Sequence, residues 1–146
     1  MKTSRRAVLA DVPSLSRLIE PMHAEIGLVT LDLAKTISGI VGTLENGAVF
    51  VVENAAGEIV ASVGLRAGPP WYSQESILGD MWFFIRKDAR SLPPFLALIA
   101  SAKAEAARRG LPLLLGNIGG IDHDRKASLY ERAGFSRAGG LFLWRG

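Results

Sequence analysis

Apolar residues recur every three or four positions in four stretches of the chain, the pattern of helices that bury one face. Two of these stretches begin with a proline in the first turn, at Pro13 and Pro93, where its missing N–H costs nothing. The same two stop just before a glycine, Gly27 and Gly110, which suits a helix end. The four predicted helices cover residues 12–26, 30–44, 93–109 and 125–133.

Other stretches carry strand patterns. Residues 58–66 place Ile59, Ala61, Val63 and Leu65 on one side, the alternation of a half-buried strand. Within residues 77–86, the run from position 81 to 85 is apolar on both faces, as expected of a central strand covered on both sides. The six predicted strands cover residues 5–10, 48–53, 58–66, 77–86, 113–115 and 141–144.

The predicted order is β-α-α-β-β-β-α-β-α-β. The unit between residues 77 and 115 is β-α-β, so its two strands should be parallel and joined by a right-handed crossover. The strands before it form an antiparallel meander. We therefore predict an α/β fold of the α+β type, with a mixed, mostly antiparallel central sheet and helices on both faces. With 146 residues, one domain over positions 1–146 is expected.

The amino-acid composition excludes several kinds of site and partner. Apolar residues make up 49% and charged residues 21%, the balance of a globular protein. There is no cysteine, which excludes a thiol nucleophile, a thiolate metal site and disulfides, and fits a cytoplasmic protein. The net charge of +3 comes from scattered basic residues, so we expect no nucleic-acid partner. No apolar run is long enough for a membrane span or a secretory signal, and no metal site is expected.

Three segments, in this order along the chain, resemble the GNAT superfamily of acyl-CoA-dependent N-acyltransferases. The first runs from Arg6-Ala7 to Asp11-Val12-Pro13-Ser14-Leu15 and is similar to that family's first strand and helix entry. The second, Trp82-Phe83-Phe84-Ile85-Arg86-Lys87-Asp88-Ala89-Arg90, is similar to its central strand and phosphate loop. The third, Leu129-Tyr130-Glu131-Arg132-Ala133-Gly134-Phe135, matches the family's Leu-Tyr-x-x-x-Gly-Phe helix end. The resemblance covers nearly the whole chain and implies the acyl-CoA N-acyltransferase fold.

The resemblance also implies a site for acetyl-CoA. The pyrophosphate would lie at the start of the helix near Pro93, because a helix N-terminus offers free N–H groups and a positive dipole end. The chain departs from the family's glycine-rich loop, since Pro93 and Pro94 each lack an N–H. The pantetheine arm would pair with the central strand where it separates from the next parallel strand. The implied cofactor-binding residues are Phe84, Ile85, Arg90, Ser91, Leu92, Phe95 and Asn117.

Two residues are candidates for proton transfer. By resemblance, Tyr130 stands at the position of the acid that protonates the departing thiolate; a plain helix anchor is the alternative. Asp80 is the candidate base, or the carboxylate that orients a water. Strand alternation predicts that Asp80 shares a face with Trp82 and Phe84, where an apolar setting would raise its pKa. A solvated carboxylate at a strand end is the alternative for Asp80.

The function implied is transfer of an acetyl group from acetyl-CoA to a primary amine by direct attack, without a covalent intermediate. The acceptor would be a small molecule or a peptide. A catalytically inactive module of the same fold, binding CoA or serving a structural role, is the alternative, supported by the two prolines. Residues 136–146 are short for the family's last two strands, so one wall of the acceptor site is missing or comes from a second subunit of a homodimer.

Overall fold

The computed structural model describes residues 3–116 and 122–146. Its helices are α1 (Val12–Ile26), α2 (Leu33–Asn46), α3 (Leu92–Arg109) and α4 (His123–Arg132). Its strands are β1 (Ser4–Arg6), β2 (Ala48–Glu53), β3 (Ile59–Gly68), β4 (Ile77–Ile85) and β5 (Leu113–Leu114). Short 3₁₀ turns at Leu9–Asp11 and Lys87–Ala89 precede α1 and α3.

The strands form one sheet in the order β1-β2-β3-β4-β5. Strands β1 to β4 pair antiparallel, and β5 joins β4 in parallel after the crossover through α3. This is the mixed, mostly antiparallel sheet with one parallel β-α-β unit that the sequence predicts, so the predicted fold class is confirmed.

Helices cover both faces of the sheet, and each face has its own core. On the first face, Leu15 and Leu18 of α1 and Ile40 of α2 pack against Trp82 and Phe84. The second face is covered by α3, whose Leu98, Ala102 and Ala106 belong to the core on this side. Burial on both faces explains why β4 shows no simple alternation of apolar and polar residues.

Glycines end two of the helices as predicted. Gly27 follows α1 with φ of 62°, and Gly110 follows α3 with φ of 65°. A residue with a side chain is strained in this left-handed conformation, so glycine suits the position. The predicted ends of α1 and α3 are confirmed.

Hydrogen bonds that aspartate side chains accept from the backbone move two predicted boundaries. The first strand was predicted over residues 5–10 but ends at Arg6, because the Asp11 carboxylate accepts the Val8 N–H at 2.8 Å and turns the chain. Helix α2 was predicted from residue 30 but begins at Leu33, because the Asp32 carboxylate accepts the Lys35 N–H at 3.0 Å and caps it.

The predicted strand over residues 141–144 is wrong. The structure describes residues 135–146 in full and gives them no regular secondary structure. The large side chains of residues 141–144 are exposed, with Phe142 99% and Trp144 87% accessible. A strand is held by hydrogen bonds to a neighbour, and in the described part of the sheet this segment has none.

Candidate functional site

The candidate site lies where β4 and β5 separate. The two strands pair only at Leu78–Leu113 and Gly79–Leu114, and then β5 ends while β4 continues to Ile85. From Asp80 to Ile85, the side of β4 that faces away from β3 therefore has no strand partner within the described residues. We call this side of β4 the open edge.

A β-bulge at Met81 determines where Asp80 lies. Gly64 of β3 faces Trp82 and the next residue, Leu65, faces Asp80, so Met81 is one extra residue in the strand. Directly opposite residues share a face, and Leu65 belongs to the core under α3. Asp80 therefore lies on the α3 face.

The prediction that Asp80 shares a face with Trp82 and Phe84 is wrong. Simple alternation over residues 80–84 holds only in a strand without an inserted residue, and the bulge at Met81 reverses the faces before it. Phe83, not Trp82, is the aromatic residue of β4 that lies on the same face as Asp80.

The Asp80 carboxylate is half-buried and held by the backbone after β5. The Gly116 N–H donates a hydrogen bond to Asp80 Oδ1 at 2.9 Å. Burial raises the pKa of Asp80, and the hydrogen bond from Gly116 opposes this only in part. A carboxylate with a raised pKa is a stronger base than one in water, which is what a general base requires.

The Tyr130 ring lies in an aromatic cluster on the same face. Its centroid is 6.0 Å from that of Phe83, 5.4 Å from Phe95 and 5.7 Å from Phe135. Burial raises the pKa of Tyr130 far above its ordinary value, and the negative charge of Asp80 raises it further. The phenol therefore keeps its proton at neutral pH and is a hydrogen-bond donor.

Arg90 reaches from the start of α3 to two other elements. Its Nε donates to the Ile85 carbonyl at 3.0 Å, and its Nη2 contacts both carboxylate oxygens of Glu25 at 2.6 Å. The guanidinium also lies 5.5 Å from the centre of the Phe84 ring. The cation predicted to meet a pyrophosphate thus has an acidic partner on α1.

The first turn of α3 offers two backbone donors. The N–H groups of the cap and of the first three helical residues have no partner inside a helix. Here these positions are Ser91, Leu92, Pro93 and Pro94, so only Ser91 and Leu92 carry an N–H. Phe95 is the fourth helical residue, so its N–H belongs to the helix, and its side chain is buried.

The backbone of β4 alternates between its two sides. The Arg86 N–H donates to Val60 on β3, whereas the Ile85 carbonyl points to the open edge, where Arg90 contacts it. By the same alternation the backbone of Phe84 faces β3. Of the two predicted cofactor contacts on β4, Ile85 therefore offers its carbonyl at the open edge and Phe84 does not. Asn117, the remaining predicted contact, lies outside the described residues.

Sequence reasoning missed three residues of this region. Glu25 is 65 positions from Arg90, and no local pattern links them. The extra residue Met81 sits beside a run that is apolar on both faces, where alternation cannot be read. Lys126 of α4 is half-buried and is a second cation near Arg90. Burial lowers the pKa of its ammonium group, and the positive charge of Arg90 lowers that pKa further.

Two other kinds of site were sought in residues 3–116 and 122–146. These residues contain no group of three or more His, Asp or Glu side chains placed to hold a metal ion. In the same residues, no helix combines the length and the apolar character needed to cross a bilayer.

The fold has many relatives among solved structures. An integron cassette protein from the mobile metagenome of Cole Harbour Salt Marsh is 24% identical, with a TM-score of 0.75 over 99% of this chain and 90% of that one. A GCN5-related N-acetyltransferase from Ralstonia eutropha JMP134 is 23% identical, with a TM-score of 0.70 over 99% of both chains. No protein-family model and no curated protein sequence matches the chain.

A third similar structure is a predicted acetyltransferase from Clostridium acetobutylicum with acetyl-CoA. It is 16% identical, with a TM-score of 0.71 over 99% of this chain and 96% of that chain. These likenesses establish the fold: the chain has the GNAT acetyltransferase fold, as the resemblance of its sequence implied.

Proposed function

We propose that this protein is an acetyl-CoA-dependent N-acetyltransferase that acts on a primary amine of a small molecule or a peptide. One observation carries the proposal. The bulge at Met81 turns Asp80 to the face where Tyr130 lies, so a carboxylate with raised pKa and a protonated phenol lie on one face of the sheet beside the open edge of β4.

Asp80 supplies the base. An amine at neutral pH is mostly an ammonium ion and must lose a proton before its nitrogen can attack a carbonyl carbon. The Asp80 carboxylate takes this proton directly or through a water, while the Gly116 N–H holds the carboxylate in place.

Tyr130 supplies a donor to the leaving group. When the new C–N bond has formed, the C–S bond breaks and negative charge collects on sulfur. The raised pKa of Tyr130 keeps its hydroxyl proton in place, so the phenol stabilises that charge chiefly as a hydrogen-bond donor. Its ring contacts fix the direction of the hydroxyl.

The residues present fit acetyl-CoA, which supplies the reactive thioester. Ile85 offers a backbone carbonyl at the open edge, where the amide groups of a pantetheine arm could pair as a strand does. Ser91 and Leu92 offer N–H groups and Arg90 offers charge to an anion. Asn117 as a further contact, and a second subunit as a wall of the acceptor site, remain predictions.

Thiol release from acetyl-CoA over a panel of primary amines tests the activity, with calorimetric titration of acetyl-CoA alongside. We expect wild type to bind the cofactor and release thiol, and Asp80→Asn to bind but turn over slowly. The loss of turnover in Asp80→Asn should be greatest at low pH, where little free amine exists. Arg90→Ala should bind more weakly. No binding by wild type at millimolar acetyl-CoA would refute the proposal.

A catalytically inactive module of the same fold, which binds coenzyme A or serves a structural role, is the second candidate. It is favoured by Pro93 and Pro94, which remove two of the four N–H groups at the start of α3. Binding of acetyl-CoA with no thiol release across the whole amine panel would support this candidate over the enzyme.

A further inference from the structure

The side chain of Arg90 spans the gap between α1 and the open edge. At one end Nε donates to the Ile85 carbonyl, and at the other Nη2 contacts both oxygens of Glu25 in the last turn of α1. Arg90 is 41% and Glu25 31% exposed at the side chain, so the pair lies at the surface and not in the core.

Both ends of this contact compete with the proposed cofactor. The Ile85 carbonyl is the acceptor that a pantetheine N–H would use, and the Arg90 guanidinium is the cation that a pyrophosphate would meet. An incoming cofactor therefore has to draw Arg90 away from Glu25, from Ile85 or from both. The Glu25 carboxylate also repels an anion that approaches Arg90.

We propose that the Arg90–Glu25 ion pair is an autoinhibitory contact that lowers the affinity of this site for coenzyme A. The inference rests on the proposed function, because it assigns to Glu25 a role in that same site. Glu25 is then an affinity-setting residue: it holds Arg90 across the open edge until a phosphate group takes the guanidinium over.

The size of the effect follows from the exposure of the pair. Ion pairs between exposed side chains change an equilibrium by about two- to fivefold. Loss of the Glu25 charge should therefore tighten acetyl-CoA binding by about that factor, and the pair tunes the affinity without blocking the site.

Titration of acetyl-CoA into five proteins tests this. Glu25→Gln keeps the size of the side chain and removes its charge. Glu20→Gln, on an exposed position of the same helix, makes the same change of net charge and is the matched control. The other three proteins are wild type, Arg90→Ala, and Glu25→Gln in the Arg90→Ala background.

We expect Glu25→Gln to bind acetyl-CoA about two- to fivefold more tightly than wild type, and Glu20→Gln to bind as wild type does. In the Arg90→Ala background, Glu25→Gln should increase the affinity for acetyl-CoA much less, because no guanidinium is left to release. An equal increase in affinity with and without Arg90 would overturn the autoinhibitory contact. Charge repulsion between Glu25 and the cofactor would then explain the whole effect.

The outcomes separate the two proposals. If wild type binds and Glu25→Gln binds equally or more weakly, the autoinhibitory contact is refuted and the proposed function stands. If no variant binds at millimolar acetyl-CoA, both are refuted.

Discussion

The indole of Trp82 lies across Gly64 on the neighbouring strand, so closely that a Cβ on Gly64 would fall 2.5 Å from the ring. The ring is buried and its Nε1–H donates to Ser62 Oγ at 3.0 Å, so it cannot move aside cheaply. Gly64→Ala should therefore lower the free energy of unfolding by about 1–3 kcal/mol. Chemical denaturation of both proteins measures the change.

Gly39→Ala is the matched control. Gly39 lies inside α2, and a Cβ there would meet nothing within 4 Å. Alanine in a helix is more stable than glycine by about 0.5–1 kcal/mol, so this variant should gain stability. Equal stability changes in the two variants would contradict the close contact between Gly64 and Trp82.

Asp80→Asn should stabilise the fold while it slows the proposed reaction. Burial raises the pKa of Asp80 in the folded state, so the charged carboxylate destabilises the fold at pH values above that pKa. Asparagine keeps an acceptor for the Gly116 N–H and carries no charge. Each kcal/mol relieved should raise Tm by about 2–4 °C.

The stabilisation of Asp80→Asn has a defined pH dependence. It should be largest at neutral and higher pH and should vanish below the pKa of the unfolded carboxyl, where Asp80 is protonated in both states. Thermal melts of wild type and variant across this range test it. A variant that is less stable at neutral pH would show that the charge of Asp80 supports the fold.

Tyr130→Phe should separate catalysis from packing. The variant keeps the ring, and so its contacts with Phe83, Phe95 and Phe135, and loses only the hydroxyl. The acyl-transfer rate should fall by about 10²-fold or more if the hydroxyl donates to the departing sulfur. Single-turnover thiol release measures the rate, and thermal melting is the control. An unchanged rate would leave Tyr130 as a helix anchor.

The acid stability of the protein should depend on Glu105. Its side chain is only 3% exposed and contacts Arg108, Arg109 and Arg6 at 2.6, 2.8 and 2.9 Å. These arginines, Arg108 foremost, lower the pKa of Glu105 to about 2. Glu105 therefore makes its full contribution to the free energy of unfolding above the ordinary pKa of a glutamate. This contribution is lost as the pH falls towards 2.

Glu105→Gln should lower the free energy of unfolding at pH 7 by about 2 kcal/mol, a figure reduced because the arginines reach solvent. The difference between the two proteins should shrink below pH 4 and disappear near pH 2. Urea titrations at several pH values measure it. A constant difference down to pH 2 would mean that packing, and not charge, is what the variant loses.

Local signals in the sequence predict most of the fold. Gly27 and Gly110 end their helices because left-handed backbone favours glycine, whichever elements lie nearby. The predicted strand over residues 141–144 fails because a strand also needs a neighbour, which composition does not reveal. In the candidate site too, local features could be predicted, and features that depend on neighbouring elements could not.

Tyr130 and Asp80 are recognisable as candidates because of their residue type and neighbours in sequence. The face of Asp80 was mispredicted because it depends on one inserted residue, Met81, in a run where both faces are apolar. The ion pair of Arg90 was missed because it joins α1 to the residues that precede α3, which come together only in the folded chain.

The bulge at Met81 has a consequence for how this protein tolerates change. The side on which Asp80 lies follows from its pairing with Leu65 on β3, and not from which residue fills the unpaired position 81. Substitutions of the exposed Met81 should therefore be accepted. Deleting that one position should also leave Asp80 on the same face as Tyr130, because a strand without the extra residue keeps the pairs Gly64–Trp82 and Leu65–Asp80. The strand pairing with β3 thus fixes the face of Asp80, and the bulge lets β4 carry an extra residue without changing that face.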